Sequence, residues 1–274
     1  MKLLNIAEPY TESVDFLGRH VNNVDSYSGD AEVVYADTID SYPALREGVI
    51  AMKPVTQGPE IELVFDFLKQ GLPAAPKGQV RTVFLEPKLD TGYPDIVVAY
   101  WDKAVTEAWP SVRRELTKVD LKVFQYILQA DSYVPLSEIC LMFGRNQSIR
   151  QSIKRMMIAR IVDLSEDEQA VIARPVREIF AIRRLISIEA KMSNWRSAYR
   201  QAFHNLWFSS ESYLLLNTHP KSTELYQTLN RTGLGLIGRG DTLSVASVKA
   251  NIENIPKSFA SWQFNEWAWR STLK

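Results

Sequence analysis

Gly92-Tyr93-Pro94-Asp95-Ile96-Val97-Val98 and Ile186-Ser187-Ile188-Glu189-Ala190-Lys191, about ninety residues apart, both read as β-strands. Both carry charge in segments otherwise suited to a sheet core. Side chains alternate along a strand, so Glu189 and Lys191 share one face while Ile188 and Ala190 take the other. Unpaired charge is costly in such a place. The pattern therefore predicts a compensating partner, and a divalent cation would supply it.

Working outward, residues 58–71 read as a helix, with Pro59 in the first turn, Glu60 and Glu62 near its start and Gly71 past its end. A strand at Val80–Leu85, a turn around Leu89–Tyr93 and a second strand from Asp95 to Tyr100 form a hairpin. From Thr117 the period changes to helical. Leu121, Phe124, Ile127 and Leu128 make one apolar stripe, Leu136, Ile139, Cys140 and Phe143 a second, and Ile149, Ile153, Met156 and Met157 a third. Ile161–Leu164, an acidic turn at Glu166-Asp167-Glu168, and Ala170–Ala173 complete a β-hairpin wing, so residues 117–182 read as a winged helix-turn-helix. The strand Ile186–Ala190 resumes the first pattern. A helix from Asn194 to Phe208, a strand at Tyr213–Leu216, a helix at Thr223–Leu229 and extended segments at Leu234–Ile237 and Leu243–Val248 follow. The tail with Trp262, Trp267 and Trp269 is expected to pack on the main domain. Residues 1–56, with short strands at Glu32–Tyr35 and Val49–Met52, have no assigned role.

Helix, hairpin, strand, helix, strand, with Pro94-Asp95 opening the second hairpin strand and Glu189-Ala190-Lys191 on the next, resembles the PD-(D/E)xK nuclease superfamily. The resemblance runs from about residue 58 to 237. It implies an α/β fold, a restriction-endonuclease-like mixed sheet flanked by helices, in two parts (57–116 and 183–274) interrupted by the winged-helix insertion at 117–182. Two converging carboxylates suit a hard cation with oxygen ligands, Mg²⁺ first and Mn²⁺ second. By resemblance, Asp95, Glu189 and the backbone carbonyl of Ala190 would hold it. The cation would polarise a phosphodiester and acidify an attacking water, Lys191 would position or deprotonate that water, and cleavage would leave a 5′-phosphate. Members of the superfamily carry a further acid on the preceding helix, for which Glu62 is preferred over Glu60. Several branches also carry a glutamine on the helix after the catalytic strand, here Gln201.

Formal charge is zero over 274 residues, so nucleic-acid contact must come from local clustering. Residues 144–160 hold Arg145, Arg150, Lys154, Arg155 and Arg160 and no acid. Gln147, Arg150, Gln151 and Lys154 fall on one helical face opposite Ile149, Ile153 and Met157, as a recognition helix requires. Arg reads guanine and Gln adenine, while Lys154 and Arg155 would hold phosphates. The expected function is a metal-dependent DNA endonuclease. Its rivals are an inactive DNA-binding regulator on the same fold, and a nuclease whose insert docks a partner protein in a larger complex. A homodimer would bring two sites to two strands.

The single cysteine, Cys140, excludes an internal disulfide and suits a reducing cytoplasm. No apolar run reaches the ~18 residues of a membrane span, and the N-terminus turns polar too soon for a signal peptide. Gly233-Leu234-Gly235-Leu236-Ile237-Gly238 matches a dinucleotide-binding pattern but follows a helix and reads as a strand itself. His20, His204 and His219 lack ligand spacing.

Overall fold

A computed structural model describes residues 49–51, 58–70, 72–144 and 146–272. The strand expected at Glu32–Tyr35, together with His20 and Arg145, lies outside the described residues. The chain is α/β, built on a mixed six-stranded sheet with helices on both faces.

Helix α1 (Pro59–Gln70) opens on Pro59, whose missing N–H costs nothing at the first helical position, with Glu60 and Glu62 in the first turn and Lys69 in the last. β1 (Val49–Ala51) runs parallel to β2 (Gln79–Leu85), which pairs antiparallel with β3 (Ile96–Asp102), Val83 opposite Val98. β3 pairs antiparallel with β7 (Ile182–Lys191), Ile96 opposite Ile188. β7, β8 (Glu211–Leu216) and β9 (Gly235–Gly238) then run parallel. Helix α5 (Trp195–Asn205) links β7 to β8, and α6 (Thr223–Thr232) links β8 to β9.

Alternation along β3 divides the core. Ile96, Val98 and Tyr100 pack with Ile186, Ile188 and the α1 residues Leu63, Val64 and Phe67. Val97, Ala99 and Trp101 face the opposite side, with Phe84 and Leu185. Gly233 ends α6 in the left-handed region at φ 71°, where a side chain is disfavoured. Gly235 lies so close to Tyr213 that an added Cβ would sit 2.1 Å from the ring. Both glycines serve the turn and the packing, and Gly235–Gly238 is the strand expected for it.

Between β3 and β7 the chain forms α2 (Lys118–Ala130), β4 (Val134–Pro135), α3 (Leu136–Phe143), α4 (Asn146–Ile158), β5 (Val162–Leu164) and β6 (Ala170–Ala173). The three short strands make a second sheet in the order β4-β6-β5. A capping box of Thr117 and Asp120 starts α2. Leu121, Phe124, Ile127, Ile139, Ile149, Ile153 and Met156 are buried as their periodicity predicts, whereas Phe143 stays exposed at the rim against Tyr126.

One expectation for the last segments needs correction, while the tail packs on the main domain as expected. Leu243–Val245 is a 3-10 turn capped by the Thr242 side chain, and Val248 alone bridges back to Leu236. The tryptophan-rich tail is a helix, α7 (Phe259–Arg270), buried along Ala260–Arg270 between sheet and insertion. Phe264 packs on Phe84 (5.2 Å) while Trp262 packs on Phe124 (4.7 Å). Consequently the sheet face and the insertion share one apolar cluster. Arg113 anchors this junction by donating to Glu266 Oε1 (2.6 Å) and to the Ile179 carbonyl (2.6 Å), with its guanidinium 3.5 Å from the Trp109 ring centre.

Candidate active site

Asp95 lies one residue before β3, where the β2–β3 ladder ends with the Glu86 N–H donating to the Asp95 carbonyl at 3.0 Å. Continuing the Ile96–Ile188 register by one step sets Asp95 opposite Glu189. The two carboxyl groups are close enough for each to act on the other's charge. Beyond this point β3 no longer covers β7, and a cleft of ≈ 370 Å³ opens, lined by Glu60, Ile61, Val64, Glu86, Asp95, Ala190 and Met192 among others.

Asp95 Oδ2 accepts the Ala190 N–H at 2.8 Å. A strand residue directs its N–H and C=O toward the same neighbour, so the Ala190 carbonyl also points to the Asp95 side. Glu189 is only 2% exposed; its Oε1 accepts from Asn205 Nδ2 at 2.6 Å, and its Oε2 has no donor. Burial and the adjacent Asp95 carboxylate push Glu189 up to about 9. Burial also raises Asp95, against the opposing pull of Lys191 and the Ala190 N–H. The pair therefore favours a shared proton or a cation over two bare charges.

Lys191 reaches Glu60 Oε2 at 3.1 Å and lies 3.9 Å from Asp95 Oδ2. Burial would lower its pKa, but Asp95 and Glu60 outweigh that and hold it above the usual lysine value. Alternation thus brings Glu189 and Lys191 to one site with Asp95, as the strand pattern predicts.

Two neighbours differ from expectation. The acid that α1 contributes is Glu60, not Glu62. Two positions further along a helix is about 200° around it, so Glu62 turns outward and is exposed. On α5, Gln201 is exposed, and the polar side chain that reaches the site is Asn205, one turn later and buried. A signal for Asn205 existed: it continues the buried stripe of Ala198 and Ala202, where a polar residue needs a partner.

The donor set suits a hard cation. Two carboxylates, one of them with a buried oxygen lacking a donor, and a carbonyl are oxygen groups of the kind Mg²⁺ or Mn²⁺ takes. Among the described residues no three His, Cys, Asp or Glu side chains form a cage. Mg²⁺ typically uses one or two carboxylates and completes its shell with water and substrate phosphate.

In the insertion, Arg150, Gln151 and Lys154 are exposed on α4, and the Gln147 side chain lies outside the described residues. Arg155 departs from the reading as a phosphate contact. It donates to Asp120 Oδ2 (2.9 Å) and Oδ1 (2.7 Å), Ser152 also bonds that buried carboxylate, and Asp120 raises the Arg155 pKa. Arg155 therefore clamps α4 to α2. Arg150 lines a groove of ≈ 850 Å³ with Leu136, Cys140 and Leu141 on one side and Glu166, Asp167 and Glu168 of the β5–β6 tip on the other. Beside it Leu141 is 83% and Met142 61% exposed.

Among the described residues no helix is long and apolar enough to cross a membrane. Comparison with known proteins gave no match, whether to a family model, to a curated protein or to a solved structure.

Proposed function

We propose that the chain is a metal-dependent nuclease of the PD-(D/E)xK kind, hydrolysing phosphodiester bonds in DNA. What carries this reading is the strand register that sets Asp95 opposite Glu189, with Lys191 Nζ 3.9 Å from Asp95 Oδ2 and a cleft beside Asp95 and Ala190. Asp95, Glu189 and the Ala190 carbonyl would hold Mg²⁺ or Mn²⁺. Bound there, the cation supplies Lewis-acid polarisation of a phosphate and a more acidic water.

Asp95 and Glu60 hold the Lys191 pKa up and keep its ammonium at the site, where it would position or deprotonate the attacking water and offset charge developing on the phosphate. Glu60 accepts a hydrogen bond from that ammonium and so holds it near Asp95. Supercoiled plasmid incubated with and without Mg²⁺ tests the reading. Cleavage only with Mg²⁺, and lost in Lys191→Ala, is the expected result. Full activity in Lys191→Ala would sink the mechanism, and binding without cleavage would leave a DNA-binding regulator.

For the insertion, the order α2, β4, α3, α4, β5, β6 supports a winged helix, and the exposed Arg150, Gln151 and Lys154 support duplex contact through α4. A second reading is favoured by the tip of the wing. Glu166, Asp167 and Glu168 would repel phosphates, and the exposed Leu141 and Met142 suit a protein partner. Gel shifts of the Arg150→Ala, Lys154→Ala double variant separate the two: weaker binding with a flatter salt dependence supports duplex contact, and unchanged binding supports docking.

A further inference from the structure

We infer that Asn205 is a positioning residue for the cation site: its amide occupies Glu189 Oε1 and leaves Oε2 as the single oxygen that Glu189 presents to a divalent cation. The inference rests on the metal-dependent reading above and concerns how the chain prepares one of its carboxylates.

Asn205 Nδ2 donates to Glu189 Oε1 at 2.6 Å, with both side chains buried. A neutral donor fixes a carboxylate without cancelling its charge, whereas an Arg or Lys in the same place would compete with the cation. Asn205 is itself held. It is the last residue of α5, and its carbonyl accepts from the N–H groups of Phe208 and Ser209, each at 3.1 Å, and from Ser209 Oγ at 2.9 Å. Ser209 Oγ lies 3.1 Å from Ser187 Oγ; Ser187 Oγ donates to Ser212 Oγ (2.8 Å), and Ser212 Oγ to the Ala202 carbonyl (2.7 Å). Ser187 stands two residues before Glu189 on the same face of β7. The buried serines thus tie the end of α5 to the strand that carries Glu189 and to its neighbour β8.

A carboxylate with one oxygen taken binds through the other. That suits Mg²⁺ or Mn²⁺, which keep waters in a tight octahedral shell, better than Ca²⁺, which accepts bidentate carboxylates and looser geometry. Asn205 therefore contributes to ion choice as well as affinity.

Calorimetric titration of the full chain with Mn²⁺, and melting with excess Mg²⁺ or Ca²⁺, test the role. Asn205→Leu keeps bulk and removes the donor. It should weaken Mn²⁺ binding about 10–100-fold and narrow the gap between the Mg²⁺ and Ca²⁺ melting shifts, while Asn205→Gln restores part of both. Folded Asn205→Leu with wild-type affinity and the wild-type Mg²⁺ to Ca²⁺ gap overturns the positioning role alone, provided wild-type uptake is lost in Glu189→Ala. Wild type that takes up no Mn²⁺, or whose uptake survives Glu189→Ala, overturns the metal-dependent reading and the role of Asn205 with it. Should Asn205→Leu not fold, Ser209→Ala loosens the Asn205 backbone and leaves its amide in place. A several-fold loss of Mn²⁺ affinity is then expected, and an unchanged affinity overturns the inference.

Discussion

Arg113 and Glu266 meet deep between α7 and the start of the insertion, whereas Asp95 and Glu189 meet where β3 and β7 part at a cleft. Both groups are buried charges, but their surroundings are opposite. Glu266 takes three hydrogen bonds from Arg113 at 2.6, 3.0 and 3.3 Å, so each charge has its counterpart in the fold, although Arg113 Nη1 itself has no partner. At the cleft two acids face one lysine, which spends its closest contact on Glu60, and one oxygen of Glu189 has no donor. A closed pair fixes the packing of its neighbours. An open one is held by the rest of the fold and awaits a ligand.

Breaking the open site should affect chemistry most. Lys191→Ala is expected to lower Mg²⁺-dependent plasmid cleavage about 10²–10⁴-fold with urea unfolding unchanged; a comparable loss of stability would assign Lys191 to the fold instead. Breaking the closed pair should do the reverse: Glu266→Ala strands a buried guanidinium and should cost about 3–5 kcal/mol in urea unfolding. The insertion offers a smaller version. Arg155→Ala removes the partner of buried Asp120 and should cost about 1–3 kcal/mol, while Lys154→Ala one residue away stays within about 0.5 kcal/mol. Equal effects would disprove the clamp.

The most gradual expected effect is a pH slope. Folding raises the Glu189 pKa from 4.5 to about 9, so the folded protein binds more protons than the unfolded chain between those values. Without metal, stability is therefore greatest below pH 4.5 for this group and falls as pH rises toward 9, by at most about 1.4 kcal/mol per unit. Glu189→Gln should flatten the slope between pH 5 and 8 in thermal melts, and saturating Mg²⁺ should reduce it. A slope of the same size in Glu189→Gln would place its origin elsewhere.

Much of the sheet and the central triad was legible because strand alternation is a local rule. Glu189 and Lys191 had to share a face, and the Pro-Asp turn set Asp95 at a strand start. The helices gave less. Glu60 and Glu62 are equally good first-turn acids, and only the angle at which α1 crosses the sheet selects Glu60. Arg155 joined the basic run by composition, yet its partner Asp120 lies 35 residues earlier, beyond any local pattern. Asn205 was missed because Gln201 fitted the resemblance, although the buried stripe on α5 pointed to the later residue. Helix α7 was also hidden, since tryptophans spaced along a polar tail show no narrow apolar stripe. It is covered on all sides, so it has no exposed face to reveal one.

That last helix bears on the order of folding. Phe84, Val97, Trp101 and Phe124 are made well before Phe264 and Trp262, which cover them. Synthesis at about 5–20 residues per second leaves these side chains without their lid for roughly ten seconds or more. During that interval both the sheet face and the insertion present bare aromatic surface to any other nascent chain. A product stopped before Phe259 would keep that surface permanently and should be recovered in aggregates, however sound its cleft.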